Sequence, residues 1–79
     1  MTNGKPYPET QRLAETLRQL RESSGISGRE LARHTYISQG KLSRIECGDY
    51  VPTLLDVEAV GRALSLDPET VTKLAAMVA

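Results

Sequence analysis

Only Thr35, Tyr36 and Ile37 separate two short helical patterns within residues 27–52, SGRELARHTYISQGKLSRIECGDYVP, and no other feature of the chain limits its fold as strongly. Ser27 with Glu30 has the capping-box spacing, in which the hydroxyl accepts from the third helical amide and the glutamate reaches back. A helix is therefore expected over about 28–34, burying Leu31 and Ala32. Ser38 can cap the next helix, expected over 39–47, whose Leu42 and Ile45 fall on one side and which stops at Gly48. So short a connection prevents the two helices from lying antiparallel, so they must cross steeply.

The flanking sequence supplies helices on both sides. Residues 1–8, MTNGKPYP, carry Gly, two Pro and no apolar period, and are expected to form a mobile arm whose Lys5 can reach a phosphate. Pro8 also suits the first position of a helix in which Leu13, Leu17 and Leu20 recur at i, i+4, i+7. That helix ends near Ser23 with Gly25 as its left-handed cap, and shows Arg12, Gln19 and Glu22 on its polar face. Thr53 with Asp56 repeats the capping logic for a fourth helix with an apolar stripe of Leu54, Val57, Val60 and Leu64. Asp67-Pro68-Glu69 opens a fifth, placing Val71, Leu74, Ala75 and Val78 inward or towards a partner. The reading is an all-α domain of five helices over residues 9–79, a length that holds one small core.

With no Trp or Phe and three Tyr, that core must be aliphatic. The single Cys47 excludes an intrachain disulfide and is expected to be a semi-buried residue at a helix end; His34 is read as a surface histidine. No ligand spacing suggests a metal or a cofactor, no catalytic constellation or phosphate loop points to an enzyme, and no apolar run is long enough for a membrane span. A soluble, cytoplasmic protein is expected. Formal charge is zero, but residues 1–50 hold Lys5, Arg12, Arg18, Arg21, Arg29, Arg33, Lys41 and Arg44, and the remainder only Arg62 and Lys73. An anionic partner would meet the first two thirds of the chain.

Three stretches, LRQLRESSGIS (17–27), GRELA (28–32) and ISQGKLSRIECG (37–48), together carry a family pattern. From about Arg12 to Leu66 the chain resembles the Cro/C1/Xre, phage-repressor-like helix-turn-helix DNA-binding domains, which implies a five-helix lambda-repressor-like fold. Counting Gly28 as the first position of the bihelical unit, the family wants apolar residues where Leu31, Ile37, Leu42 and Ile45 stand, and a small one where Ala32 lets the helices approach. The chain departs from the pattern in two places. Tyr36 stands where the family usually has a turn Gly, and Gly28 where it usually has a Gln that braces the recognition helix and touches a phosphate. The loop after the recognition helix, CGDYV, also lacks the family's usual positive charge.

With Leu42 and Ile45 inward, the outward set is Gln39, Gly40, Lys41, Ser43 and Arg44, and the resemblance places the same residues at the family's contact positions. Gln suits two-pronged pairing with adenine, and Lys or Arg pairs with guanine N7 and O6. Phosphate contacts are expected from the Gly28 amide, from Arg29 and from the helix N-terminus at Ser38. Tyr50 either gives its hydroxyl to a phosphate or packs over its loop. Glu46 lies at a helix C-terminus, where a negative charge needs a cation, and the resemblance implies Arg21 as its partner.

The resemblance implies sequence-specific binding of double-stranded DNA by a bacterial transcriptional regulator, with the recognition helix in the major groove. It also implies a homodimer, for which the fifth helix with Leu74, Met77 and Val78 is the candidate seam, and a C-terminal sensor region or small protein partner. The zero net charge and acidic last third keep a second class open, an antitoxin or adaptor of the same fold acting through a protein partner.

Overall fold

The computed structural model describes residues 8–78 and consists of five helices: α1 (Pro8–Ser23), α2 (Gly28–Thr35), α3 (Gln39–Cys47), α4 (Leu54–Ala63) and α5 (Pro68–Val78). Among the described residues there is no strand. The arm proposed for residues 1–8 lies outside them except for Pro8, which belongs to α1. Lys5 therefore has no structural account.

Local chemistry decides where the helices begin. Ser27 Oγ accepts from the Glu30 amide at 3.0 Å and Ser38 Oγ from the Lys41 amide at 3.1 Å. At Thr53 the box is reciprocal: its hydroxyl accepts from the Asp56 amide at 3.1 Å, and its own amide donates to Asp56 Oδ2 at 3.0 Å. The corresponding pair at Ser27 and Glu30 is made only in its hydroxyl half. Helix α2 runs one residue beyond expectation, to Thr35, because the buried Thr35 hydroxyl donates to the Ala32 carbonyl and accepts from the Ile37 amide, both at 3.2 Å. That side chain satisfies a turn amide which no helical carbonyl reaches. Tyr36 then takes the left-handed conformation, φ 66° and ψ 5°, so the turn has the family's geometry with a tyrosine in the glycine position.

Around this pair, α1 packs on α3 and α5, α2 on α3 and α4, and α4 on α5. The core collects Leu13 and Leu17, Leu31, Ile37, Leu42 and Ile45, then Val57, Val60, Leu64 and Leu74, with Ala32 partly buried against it. One close approach requires glycine: a Cβ on Gly61 of α4 would stand 2.7 Å from Val71 Cγ2 of α5.

Two burial expectations are corrected, at Leu54 and at Cys47. Leu54 is 48% exposed and its neighbour Leu55 75%, so the apolar inward stripe of α4 begins only at Val57. Of the α5 residues expected inward or towards a partner, Leu74 is 2% exposed, deep in this chain's own core, while Met77 and Val78 pack only partly against it. Cys47 is exposed, because the Leu42 and Ile45 side of α3 faces the core and Cys47 falls on the other side.

Candidate nucleic-acid interface

The N-terminal half of α3 has one side open to solvent. Gln39, Gly40, Ser43 and Arg44 are exposed on it, while Leu42 and Ile45 anchor the opposite side. Gly40 has open space where a Cβ would be, so nothing within the chain requires glycine there.

Two contacts tie α3 to its surroundings. Arg21 of α1 donates from Nε to Glu46 Oε2 at 2.9 Å and from Nη2 to Glu46 Oε1 at 3.0 Å, a two-pronged pair at the C-terminal end of α3. Its third prong, Nη1, reaches the Ile26 carbonyl at 2.9 Å and so fastens the loop before α2 as well. The Glu46 hydrogen bond raises the Arg21 pKa above its ordinary value, although partial burial works against it. The pair compensates a carboxylate that the helix dipole disfavours at this end.

The second tie involves Lys41, which was expected to point outward with the other readers. It is turned sideways instead. Its Nζ lies 3.3 Å from Asp56 Oδ2 at the start of α4 and 5.0 Å from the centroid of the Tyr50 ring. Partial burial pushes the Lys41 ammonium down, but the hydrogen bond and charge of Asp56, with Tyr50, more than offset it, and its pKa rises. The Tyr50 ring thus stands against the Lys41 ammonium.

Two hollows flank the α3 N-terminus. One, of about 190 Å³, is lined by Arg18, Arg21, Gly28, Gln39, Ser43 and Glu46. It lies where a side chain at position 28 would stand, and a Cβ there meets nothing within 4 Å. The other, of about 400 Å³, is lined by Ser38, Gly40, Lys41, Arg44 and Tyr50. Arg29 is exposed in the first turn of α2, and the hydroxyl of exposed Ser38 is used by the helix cap. Exposed Arg18 borders the first hollow, although sequence reasoning did not single it out; its spacing of three from Arg21 on α1 was the available signal. In the sequence Asp56 shows only a cap pattern, and no local pattern pairs it with Lys41 fifteen residues away. His34 is exposed. Among the described residues no cluster of His, Cys, Asp or Glu could hold a metal, and no helix is long and apolar enough to cross a membrane.

The arrangement presents amide, hydroxyl and guanidinium groups on one exposed helix face, with further cations beside it, which suits base edges and phosphates. A helix-turn-helix domain family matches the chain over residues 12–74. No curated protein matches it.

Proposed function

As the chain belongs to this helix-turn-helix family, a Cro/C1/Xre-like one that binds nucleic acid in general, we propose that it is the sequence-specific reading domain of a transcriptional regulator acting on double-stranded DNA. The supporting observation is the exposed strip Gln39, Gly40, Ser43 and Arg44 on the first turns of α3, held at the helix's far end by Arg21 and Glu46. In this reading α3 enters the major groove N-terminus first. Gln39 pairs with adenine and Arg44 with guanine O6 and N7, while Ser43 adapts to either. The open space at Gly40 lets the helix backbone approach the base edges. The Gly28 amide, Arg29 and the Ser38 end of α3 take phosphates, and Arg18 joins them beside the notch. No catalytic role is assigned.

The regulator acts as a homodimer on half-sites about 34 Å apart, one helical turn of DNA. With Leu74 buried, the most exposed aliphatic residues open to the seam are Val51, Leu54 and Leu55, at 46%, 48% and 75% exposure, beside the partly buried Met77 and Val78 of α5. The same patch favours the second reading, a domain docking on another protein, since a formally neutral chain gains little from long-range attraction to DNA.

Selection from random duplex DNA, repeated with Arg44→Ala, tests the proposal. An enriched motif that loses one base preference on mutation supports it and marks Arg44 as a reader. A uniform loss with a shallower salt dependence would mark a phosphate contact instead, and no enriched motif at low salt would leave the protein-docking reading.

A further inference from the structure

Asp56 has two partners. Its Oδ2 accepts from the Thr53 amide at 3.0 Å and so completes the cap that starts α4, and the same carboxylate holds Lys41 Nζ at 3.3 and 3.4 Å. The Tyr50 ring, 5.0 Å from the ammonium, gives the lysine a further partner. Lys41 stands at the third position of α3, between residues that face outward, yet its charge is directed at α4. Asp56 is only 8% exposed. For the half-buried Lys41 to neutralise a phosphate it must leave Asp56, whose largely buried carboxylate would keep the Thr53 amide but lose its cation, a cost that a lysine in open solvent does not carry.

Affinity for DNA of any sequence grows with the number of phosphates neutralised, whereas discrimination comes from base edges. Resting on the DNA-binding reading above, we propose that Asp56 is a specificity-determining residue of this domain, which keeps Lys41 off the phosphate backbone and so holds down binding to DNA of arbitrary sequence. It acts through Lys41 and is a positioning residue; Gln39, Ser43 and Arg44 keep the reading. The duplex meets a helix end with one cation fewer than its sequence offers.

The test is the salt dependence of binding to a duplex lacking any selected motif, measured for the parent protein, Asp56→Asn and the double variant Lys41→Gln/Asp56→Asn. Asparagine keeps an oxygen for the Thr53 amide but gives up the charge that holds the lysine. Freeing Lys41 adds one phosphate contact, so Asp56→Asn should steepen the slope of log K against log salt by about 0.9, an added loss of about three- to fourfold between 50 and 200 mM. The double variant removes the neutral pair and should return to the parent slope.

The proposal is overturned if the double variant falls about 0.9 below the parent slope, because Lys41 would then already be on a phosphate. It is equally overturned if both variants steepen alike, because the lost carboxylate and not the freed lysine would then be responsible. Should Asp56→Asn fail to fold, Asp56→Gln, which likewise offers the cap an amide oxygen, replaces it in the comparison, and an unchanged slope on losing the carboxylate overturns the proposal. Failure of the DNA-binding reading itself looks different: the parent protein then shows no salt-dependent binding to any duplex, before variants are compared.

Discussion

Replacing Tyr36 by glycine is expected to stabilise the domain, although it removes the largest side chain of the turn. Tyr36 holds φ 66° and ψ 5°, a left-handed conformation that costs a residue with a Cβ roughly 1–2 kcal/mol. The side chain is fully exposed, so its loss forfeits no packing. Against the relief stands the greater freedom of glycine in the unfolded chain, about 0.4–1 kcal/mol. The net gain is then about 0.5–1 kcal/mol, which in a domain of this size raises Tm by roughly 2–8 °C. Thermal and urea denaturation of Tyr36→Gly and Tyr36→Asn measure it, with asparagine expected between the parent and glycine because it tolerates this region better than tyrosine. The slope of the urea transition should not change, since no buried surface is altered. A Tm for Tyr36→Gly at or below the parent value would refute the reasoning and mean that the ring stabilises the folded chain in a way its exposure conceals.

Gly40→Ala should separate folding from function: in open space on α3, alanine stabilises the free domain by roughly 0.5–1 kcal/mol, while its methyl weakens binding to a selected duplex, read by paired denaturation and affinity measurements. Affinity left intact would remove the close-approach role. Glu46→Gln keeps one oxygen for the Arg21 guanidinium but turns an amide N–H towards its other prong, and the loss of one charge-assisted hydrogen bond is expected to cost about 1.5–3 kcal/mol in urea denaturation. At Asp67, hydrogen bonds from Thr70 hold the carboxyl below its ordinary value. Its stabilising contribution is therefore fully present above the unfolded value and is lost as pH falls through the lower folded one. The stability gap between the parent and Asp67→Ala should accordingly narrow in acid, and a gap independent of pH would contradict this.

Most of the fold could be read in the sequence because its information is local. Serine or threonine caps at residues 27, 38 and 53 are visible as short-range patterns, and so is the apolar spacing from Leu31 to Ile45. The Arg21–Glu46 pair was accessible for a different reason: a carboxylate at the wrong end of a helix needs a cation, and the family pattern says where one stands. What escaped depends on how the helices dock. Leu54 has the periodicity of a core residue, yet it stays 48% exposed where Val57, one turn on, is fully buried. Lys41 has the periodicity of an outward reader, and only the approach of α4 and the Tyr50 loop brings Asp56 beside it. Arg18 borders the hollow beside α3 because α1 packs on α3, a relation that its spacing from Arg21 hints at and does not itself contain.

The most direct test of the reading-head account is a titration of the isotopically labelled domain with a selected duplex, followed by NMR. The account predicts the largest perturbations at the Gln39, Gly40, Ser43 and Arg44 amides and the Gln39 and Arg44 side chains, with smaller ones at Arg18, Gly28 and Arg29. Perturbations centred on Val51, Leu54 and Leu55, with the first turns of α3 unmoved, would contradict it.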